Sequence, residues 1–205
     1  MLLPSTCGAC GRTGPAPCQA CWARLRPAPP AAPPAGVDWW ASLLVYEGEA
    51  RELVARLKYR NARAALPWLA AGMAGLVVAA GEAVDVVTWA PTTPTRRRVR
   101  GFDQAELLAR AVAARLRRPA RRLLARPAGL PQTGRAAAAR REGPPLSARW
   151  PASGGWSVLV VDDVTTTGAT LTAAARALRA AGFARIVAVT AGRTPLKVAA
   201  RGADP

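Results

Sequence analysis

Two adjacent carboxylates, Asp162 and Asp163, stand between a run of apolar residues and a run of small hydroxyls and glycine. The stretch over residues 158–171 reads VLVVDDVTTTGATL. Val158 to Asp162 predicts a buried parallel strand with the acids at its C-terminal edge. Thr165, Thr166, Thr167 and Gly168 predict a turn, and an alanine-rich helix follows over 169–181, with Thr170 in its first turn and Gly182 at its C-terminal cap position. Such a turn can hold a phosphate on its amides and on the positive helix end. The threonine hydroxyls add donors, and glycine lets the backbone come close. The two acids can accept hydrogen bonds from a ribose diol. Ligands in open α/β sheets sit at the carboxyl ends of strands, where these residues fall. An ordinary strand–turn–helix with solvated acids is the weaker reading, because adjacent acids at a buried strand end are costly without a ligand. The chemistry expected is recognition of a phosphorylated sugar.

A second strand–loop–helix unit lies upstream. Residues 84–90, VDVVTWA, predict a short apolar strand, and 91–101, PTTPTRRRVRG, predict a loop. Asp103 and Glu106 suit an N-cap and its box partner opening a helix over 102–118. Thr92 and Thr93 offer amides and hydroxyls, while Arg96, Arg97, Arg98 and Arg100 offer fork donors for phosphate oxygens. The functional reading is a pyrophosphate-binding loop facing the first site; the alternative is a solvated basic turn.

The elements that must position these groups are legible in outline. Cys7-Gly-Ala-Cys10 and Cys18-Gln-Ala-Cys21 hold all four cysteines of the chain. Paired knuckles of four thiolates suit a tetrahedral structural zinc, which can fold a segment too small for its own core. Two disulfides are the alternative and need an oxidising compartment. The expected organisation is a zinc module over 1–26, a stiff proline-rich linker over 27–36, and a main domain over 37–205. In that domain, 37–46 reads as a strand with Trp39 and Trp40 as packing residues. Residues 49–59 and 64–80 read as helices, 121–125 as a further strand and 185–190 as the last one. The uncharged stretch 64–81 carries Pro67, and alanine and glycine insert weakly into lipid, so a buried helix is expected rather than a membrane span. Alternating strands and helices argue for a parallel, two-sided α/β sheet.

The chain of 205 residues carries 29 basic and 12 acidic residues, for a net charge of +17, and no histidine. Histidine catalysis and histidine metal ligation are therefore excluded. Fifteen arginines against three acids fall between Arg96 and Arg149. This favours polyanionic partners, nucleic acid or phosphorylated small molecules, against the plainer reading of a solvated basic surface. No basic segment followed by an apolar one opens the chain, so no signal peptide and a cytoplasmic location are expected.

The 158–171 stretch, with its T-x-x-G-x-T loop, resembles the PRPP-binding motif of type I phosphoribosyltransferases. Together with the four-cysteine module, the L-K-Y end of 49–59, Arg97, Arg100, Gly101, Phe102, Asp103 and Gln104, then Gln132, Thr133, Gly134 and Arg140, the whole order resembles the ComF/ComFC family of competence proteins. Asp103 stands where that family usually has asparagine, and Glu142 lies near another such position. The resemblance implies a type I phosphoribosyltransferase fold and PRPP bound with Mg²⁺. Asp162, Asp163, Thr165, Thr166, Thr167, Gly168 and Thr170 would bind PRPP. Thr92, Thr93, Arg96, Arg97 and Arg100 would form the pyrophosphate loop. The family's flexible lid maps to 126–155, with Arg135, Arg140 and Arg141 as its contacts. The implied role is in natural transformation, handling single-stranded DNA beside a competence helicase or DNA-processing protein, with Trp22, Trp39 or Trp40 as stacking candidates. An active phosphoribosyltransferase of nucleotide metabolism or salvage is the alternative. No catalytic base is assignable.

Overall fold

The computed structural model of the chain describes residues 6–57, 63–126, 143–152 and 154–195. In chain order the strands are β1 (Trp39–Val45), β2 (Val86–Trp89), β3 (Leu124–Ala125), β4 (Ser147–Ala148), β5 (Ser157–Thr165) and β6 (Arg185–Arg193). The helices are α1 (Gln19–Trp22), α2 (Gly48–Arg56), α3 (Leu66–Ala79), α4 (Pro94–Arg100), α5 (Gln104–Leu116) and α6 (Ala169–Ala180), with a 3-10 turn Arg63–Ala65 leading into α3.

Four strands make one parallel sheet in the spatial order β1-β6-β5-β2, and β3 with β4 makes a small antiparallel pair. β5 runs down the middle, paired to β2 from Val86↔Val158 to Trp89↔Val161 and to β6 from Ser157↔Arg185 to Thr165↔Arg193. Its apolar run serves both faces. Leu159 and Val161 enter the core with α2, α3 and α5, while Val158 and Val160 enter the core with α6 and the β3–β4 pair. A strand covered on both sides has no polar alternation, as the sequence shows.

β5 and β6 both extend past the sequence expectation, to Thr165 and Arg193. The acids therefore stand inside the ladder, with Asp162 opposite Thr190. Backbone pairing is indifferent to side-chain polarity, and the ladder continues beyond the point where the helices cease to cover it.

The stretch that tempts a membrane reading is α3, whose Leu69, Ala70, Met73, Ala74 and Val77 are buried against the sheet. Gly72 lets it approach β1, since a Cβ there would sit 2.8 Å from the Leu43 methyls. Among the described residues no helix is long and apolar enough to cross a membrane.

The proline-rich segment is laid along the outer edge of β1. The Ala28 amide donates to the Leu43 carbonyl at 3.1 Å, the Val45 amide donates to the Arg26 carbonyl at 2.9 Å, and the Arg193 guanidinium donates to the Pro29 carbonyl at 3.0 Å. Prolines lack an amide to extend a ladder, so the segment covers the edge without inviting another strand. The cysteine module is joined to the body as well: Cys7 and Cys21 are fully buried in the same apolar cluster as Leu53, Leu57 and Leu69.

Leu53 is fully buried, and its side chain lies 3.3 Å from the position a Cβ would take at Gly8. Leu53→Ala should lower the unfolding free energy by about 2–5 kcal/mol, read by urea denaturation. A loss below that range would mean that the cysteine module does not rest on α2.

Candidate functional site

The chain turns outward after β2 and inward after β5. From β2, α5 carries it to residues 120–125, where Ala120 bridges Val87 on the far side of β2 and the Arg121 amide donates to the Val87 carbonyl at 2.9 Å. From β5, α6 carries it to β6 over the opposite face. The carboxyl ends of β2 and β5 thus flank a topological switch point, where an open α/β sheet leaves a crevice. The Ala90 amide donates to the Val161 carbonyl at 3.3 Å, so the segment after β2 lies directly beside Asp162.

Asp162 and Asp163 are both half-buried there. Each uses one carboxylate oxygen on the amide that follows it, Asp163 N at 2.9 Å and Val164 N at 2.8 Å. Burial raises the Asp162 carboxyl well above the usual carboxylate range; the charge of Asp163 adds to this, and that of Asp103 adds further. Tyr46 stands on the same side of the crevice, its phenol pushed up by burial and then by Asp163. The Thr190 hydroxyl, opposite Asp162, is buried with no hydrogen-bond partner among the described residues. Neither Tyr46 nor Thr190 carried a sequence signal, since both join the site by strand register alone.

The hydroxyl turn divides by exposure. Thr165 is buried as the last residue of β5, with its carbonyl accepting from the Thr194 amide at 2.9 Å, while Thr166 and Thr167 are exposed and Thr170 is half-buried in the first turn of α6. Gly168 adopts φ +78° at the N-cap, and a Cβ on it would lie 2.9 Å from the Pro34 ring. On the other flank, a Cβ on Gly143 would collide with the Ala169 carbonyl. The turn is therefore held between the proline-rich segment and the chain that follows residue 142. The lid contacts Arg135, Arg140 and Arg141 lie outside the described residues, as do Gln132, Thr133 and Gly134.

The arginine segment is a helix, α4, where the sequence predicts a loop. Arginine is a good helix former, Pro94 suits the first turn, and Gly101 stops the helix at φ +76°. The Arg97 amide donates to the Thr93 carbonyl at 2.9 Å, closing the first turn. Reading proline-first, glycine-last would have found it. Asp103 is the N-cap of α5 as expected, accepting from Ala105 N at 3.1 Å, but it also accepts from Thr92 N at 2.8 Å. The Thr92 amide is thereby committed to the protein. Burial raises the Asp103 carboxyl even so, against the pull of those amides. Glu106 pairs with Arg110 at 2.9 Å and with Arg97 at 3.7 Å.

A pocket of about 360 Å³ opens here, lined by Thr92, Arg97, Arg98, Asp103, Arg122 and Arg126 among others. Arg122 and Arg126 arrive from the chain beyond α5, and the sequence expectation had missed both. Arg96 and Arg100 belong to α4 by their backbone; their side chains lie outside the described set. The arrangement brings two kinds of chemistry to one crevice: carboxylates close enough to repel one another, and arginines that can bind phosphate oxygens.

Away from the crevice, Cys7, Cys10, Cys18 and Cys21 gather with all four sulfurs within 4.8 Å of one another. Cys10 Sγ and Cys18 Sγ are 3.7 Å apart, the spacing that four thiolates around one tetrahedral ion require, given metal–sulfur bonds of about 2.3 Å. Burial, then hydrogen bonding with the other three thiols, pushes Cys21 up to about 12. Burial also acts to raise Cys7, but amides around it outweigh that and bring it down to about 6. Such a group can hold a metal.

No protein-family model matches the chain, and a search of curated proteins finds no similar sequence.

Asp162 holds its proton to higher pH in the folded chain than in the unfolded one. Below the ordinary carboxylate value both states are protonated and the group costs nothing; as pH rises through the folded value, the fold loses stability. Asp162→Asn should therefore raise the melting temperature most at pH 8, by about 2–4 °C for each kcal/mol relieved in a chain of this size, and the gain should shrink toward pH 4. Melting curves that differ equally at every pH would contradict the crowding of charge at the crevice.

Proposed function

We propose that the chain is a ComF-type, phosphoribosyltransferase-like protein that binds PRPP at the crevice between β2 and β5 and acts on single-stranded DNA during its uptake. One observation carries this reading: a hydroxyl–glycine turn at a helix N-terminus, two adjacent carboxylates and a pocket rich in arginine meet at the switch point of a parallel sheet. The 5′-phosphate would rest on the amides and exposed hydroxyls of Thr166 and Thr167 at the start of α6. The ribose diol would face Asp162 and Asp163. The diphosphate would face Arg97, Arg98 and Arg122 in the pocket beside α4. Asp103, Asp162 and Asp163 crowd negative charge that a divalent cation would relieve, so the donor set suits Mg²⁺. When bound with the diphosphate, the cation would supply charge neutralisation. Asp162 would then accept from a hydroxyl as a carboxylate, so binding should strengthen above its raised titration range.

A competence helicase or DNA-processing protein is the proposed protein partner, and the proposed location is cytoplasmic. The four-cysteine group is proposed to hold structural zinc. That ion would tie the N-terminal knuckles to each other and to α2, without an open position for substrate.

Calorimetry with PRPP and Mg²⁺ should give a binding heat for the wild type that Asp162→Asn with Asp163→Asn removes. If the pair of substitutions leaves the heat intact, the crevice is not the site. Release of pyrophosphate with a nucleobase present would turn the assignment toward a salvage transferase.

For the metal, elemental analysis of the purified chain should find about one zinc per chain, and a strong chelator should lower the melting temperature. Cys7→Ser should abolish retention of the ion and destabilise the fold by an amount similar to chelation. A fully stable, metal-free Cys7→Ser chain would contradict the structural role.

A further inference from the structure

A second pocket, of about 560 Å³, opens beside the chain at 120–123 that flanks β2, next to the residues that precede β5 and β6. Its floor is the buried ring of Phe183, and its rim carries Trp150, Trp156, Arg121, Arg122 and Arg149. Trp150 is 62% exposed and Trp156 is 39% exposed, so two of the five large apolar side chains left exposed among the described residues face one pocket. Two indoles held in water at one place ask for a partner with flat faces.

The backbone that presents them is fixed. The β3–β4 pair carries one side of the pocket, with the Arg149 amide donating to the Leu123 carbonyl at 2.8 Å. Beyond Trp150, the Ala152 amide donates to the Ala181 carbonyl at 2.7 Å, and the Ala184 amide donates to the Trp156 carbonyl at 3.1 Å. The indoles therefore stand on anchored chain on both sides of the Phe183 floor.

Among the described residues the charge around them has no acidic partner. Arg24, Arg26, Arg110, Arg179 and Arg185 are each paired with a carboxylate, whereas Arg121, Arg122 and Arg149 form no ion pair among the described residues. Arg122 also lines the pocket beside Asp103, so one basic track joins the two openings. Flat apolar faces interleaved with guanidinium groups that form no ion pair among the described residues match a polyanion whose bases are unstacked. A duplex keeps its bases stacked on each other and offers an indole nothing but backbone.

We infer that this pocket is a groove for single-stranded nucleic acid, in which Trp150 and Trp156 stack on bases and Arg121, Arg122 and Arg149 hold the phosphates. The inference rests on the DNA-binding half of the function proposed above; the groove shares Arg122 with the sugar-phosphate crevice, and its two indoles belong to the groove alone.

The test is anisotropy of a fluorescein-labelled oligothymidylate of about 20 nucleotides, long enough to exceed a single-strand site of this kind. It is titrated at low salt with the wild type, Trp150→Ala, Trp156→Ala, Trp150→Phe and the triple arginine-to-alanine variant. Each indole removed should weaken binding on the order of tenfold, and Trp150→Phe should recover most of that loss, because a phenyl ring still stacks. The triple arginine variant should flatten the dependence of log affinity on log salt by about 2, at about 0.7 per phosphate contact. Tryptophan emission should fall on binding in the wild type and not in Trp150→Ala with Trp156→Ala. Both indoles are exposed, and an unchanged melting temperature in these variants confirms that only the surface was altered. Wild-type binding with indole variants of equal affinity would overturn the groove and leave DNA binding standing elsewhere on the chain. An equal loss toward a hairpin duplex of matching length would overturn the stacking role. No wild-type binding at low salt would overturn both the groove and the DNA-binding half of the function, while the calorimetric titration with PRPP would judge the crevice separately.

Discussion

Everything at the crevice depends on the pairing of β5 with β2 on one side and β6 on the other. That double pairing occupies both edges of β5 while the helices bury the run Val158–Val161 on both faces, and a strand so held cannot shift its register without moving every side chain to the opposite face. Once it is held, the acids beyond Val161 have no freedom of position. Asp162 must stand opposite Thr190, and the turn at 165–168 must begin where the ladder ends. The segment after β2 must then lie alongside, and α5 and α6 must leave on opposite faces. The crevice follows from topology; side chains only line it.

The electrostatics of the crevice are unbalanced within each of its halves and complementary between them. Burial raises both Asp162 and Asp103; the charges of Asp163 and Asp103 add to the first, and that of Glu106 adds to the second. The arginines of α4 and of the chain beyond α5 stand around a pocket that Asp103 also lines. Asp103 belongs to both halves. It caps α5, takes the Thr92 amide, and so locks the segment after β2 to the helix that follows. An asparagine there offers a single acceptor oxygen and no charge. The aspartate gives each of the two amides its own acceptor oxygen, at the cost of a carboxylate raised by burial.

The N-terminal segment is less separate than a proline-rich linker suggests. Its prolines run along the β1 edge, and Pro34 reaches the glycine at the N-terminus of α6. The cysteine module beyond it shares its apolar cluster with α2 and α3. A metal held by the four cysteines would thus be tied to the same core that positions β5, and Pro34 places the linker within contact of the turn at Gly168. Edge protection, anchoring and proximity to the site come from one stretch of chain, because a proline-rich segment is stiff enough to bridge them without a folded element of its own.

Local sequence determined what depends on residues near one another in the chain. The apolar run of β5, the Asp103 cap, the buried face of α3 and the pairing of the cysteine knuckles are all legible without coordinates, since periodicity, capping and ligand spacing are short-range effects. The same logic carried the resemblance at 158–171, where acids, hydroxyls and glycine are contiguous. Where it failed locally, at α4, composition had outweighed punctuation: four arginines looked like a turn, while Pro94 and Gly101 marked a helix. Tertiary structure decided the rest. Thr190 and Tyr46 reach the acids, Arg122 reaches two pockets, Pro34 reaches Gly168, and Trp150 meets Trp156 across Phe183, all through strand register and crossover connections. Those are contacts between residues far apart in the chain, and their formation rests on burying one shared core, which no local pattern of residues can encode.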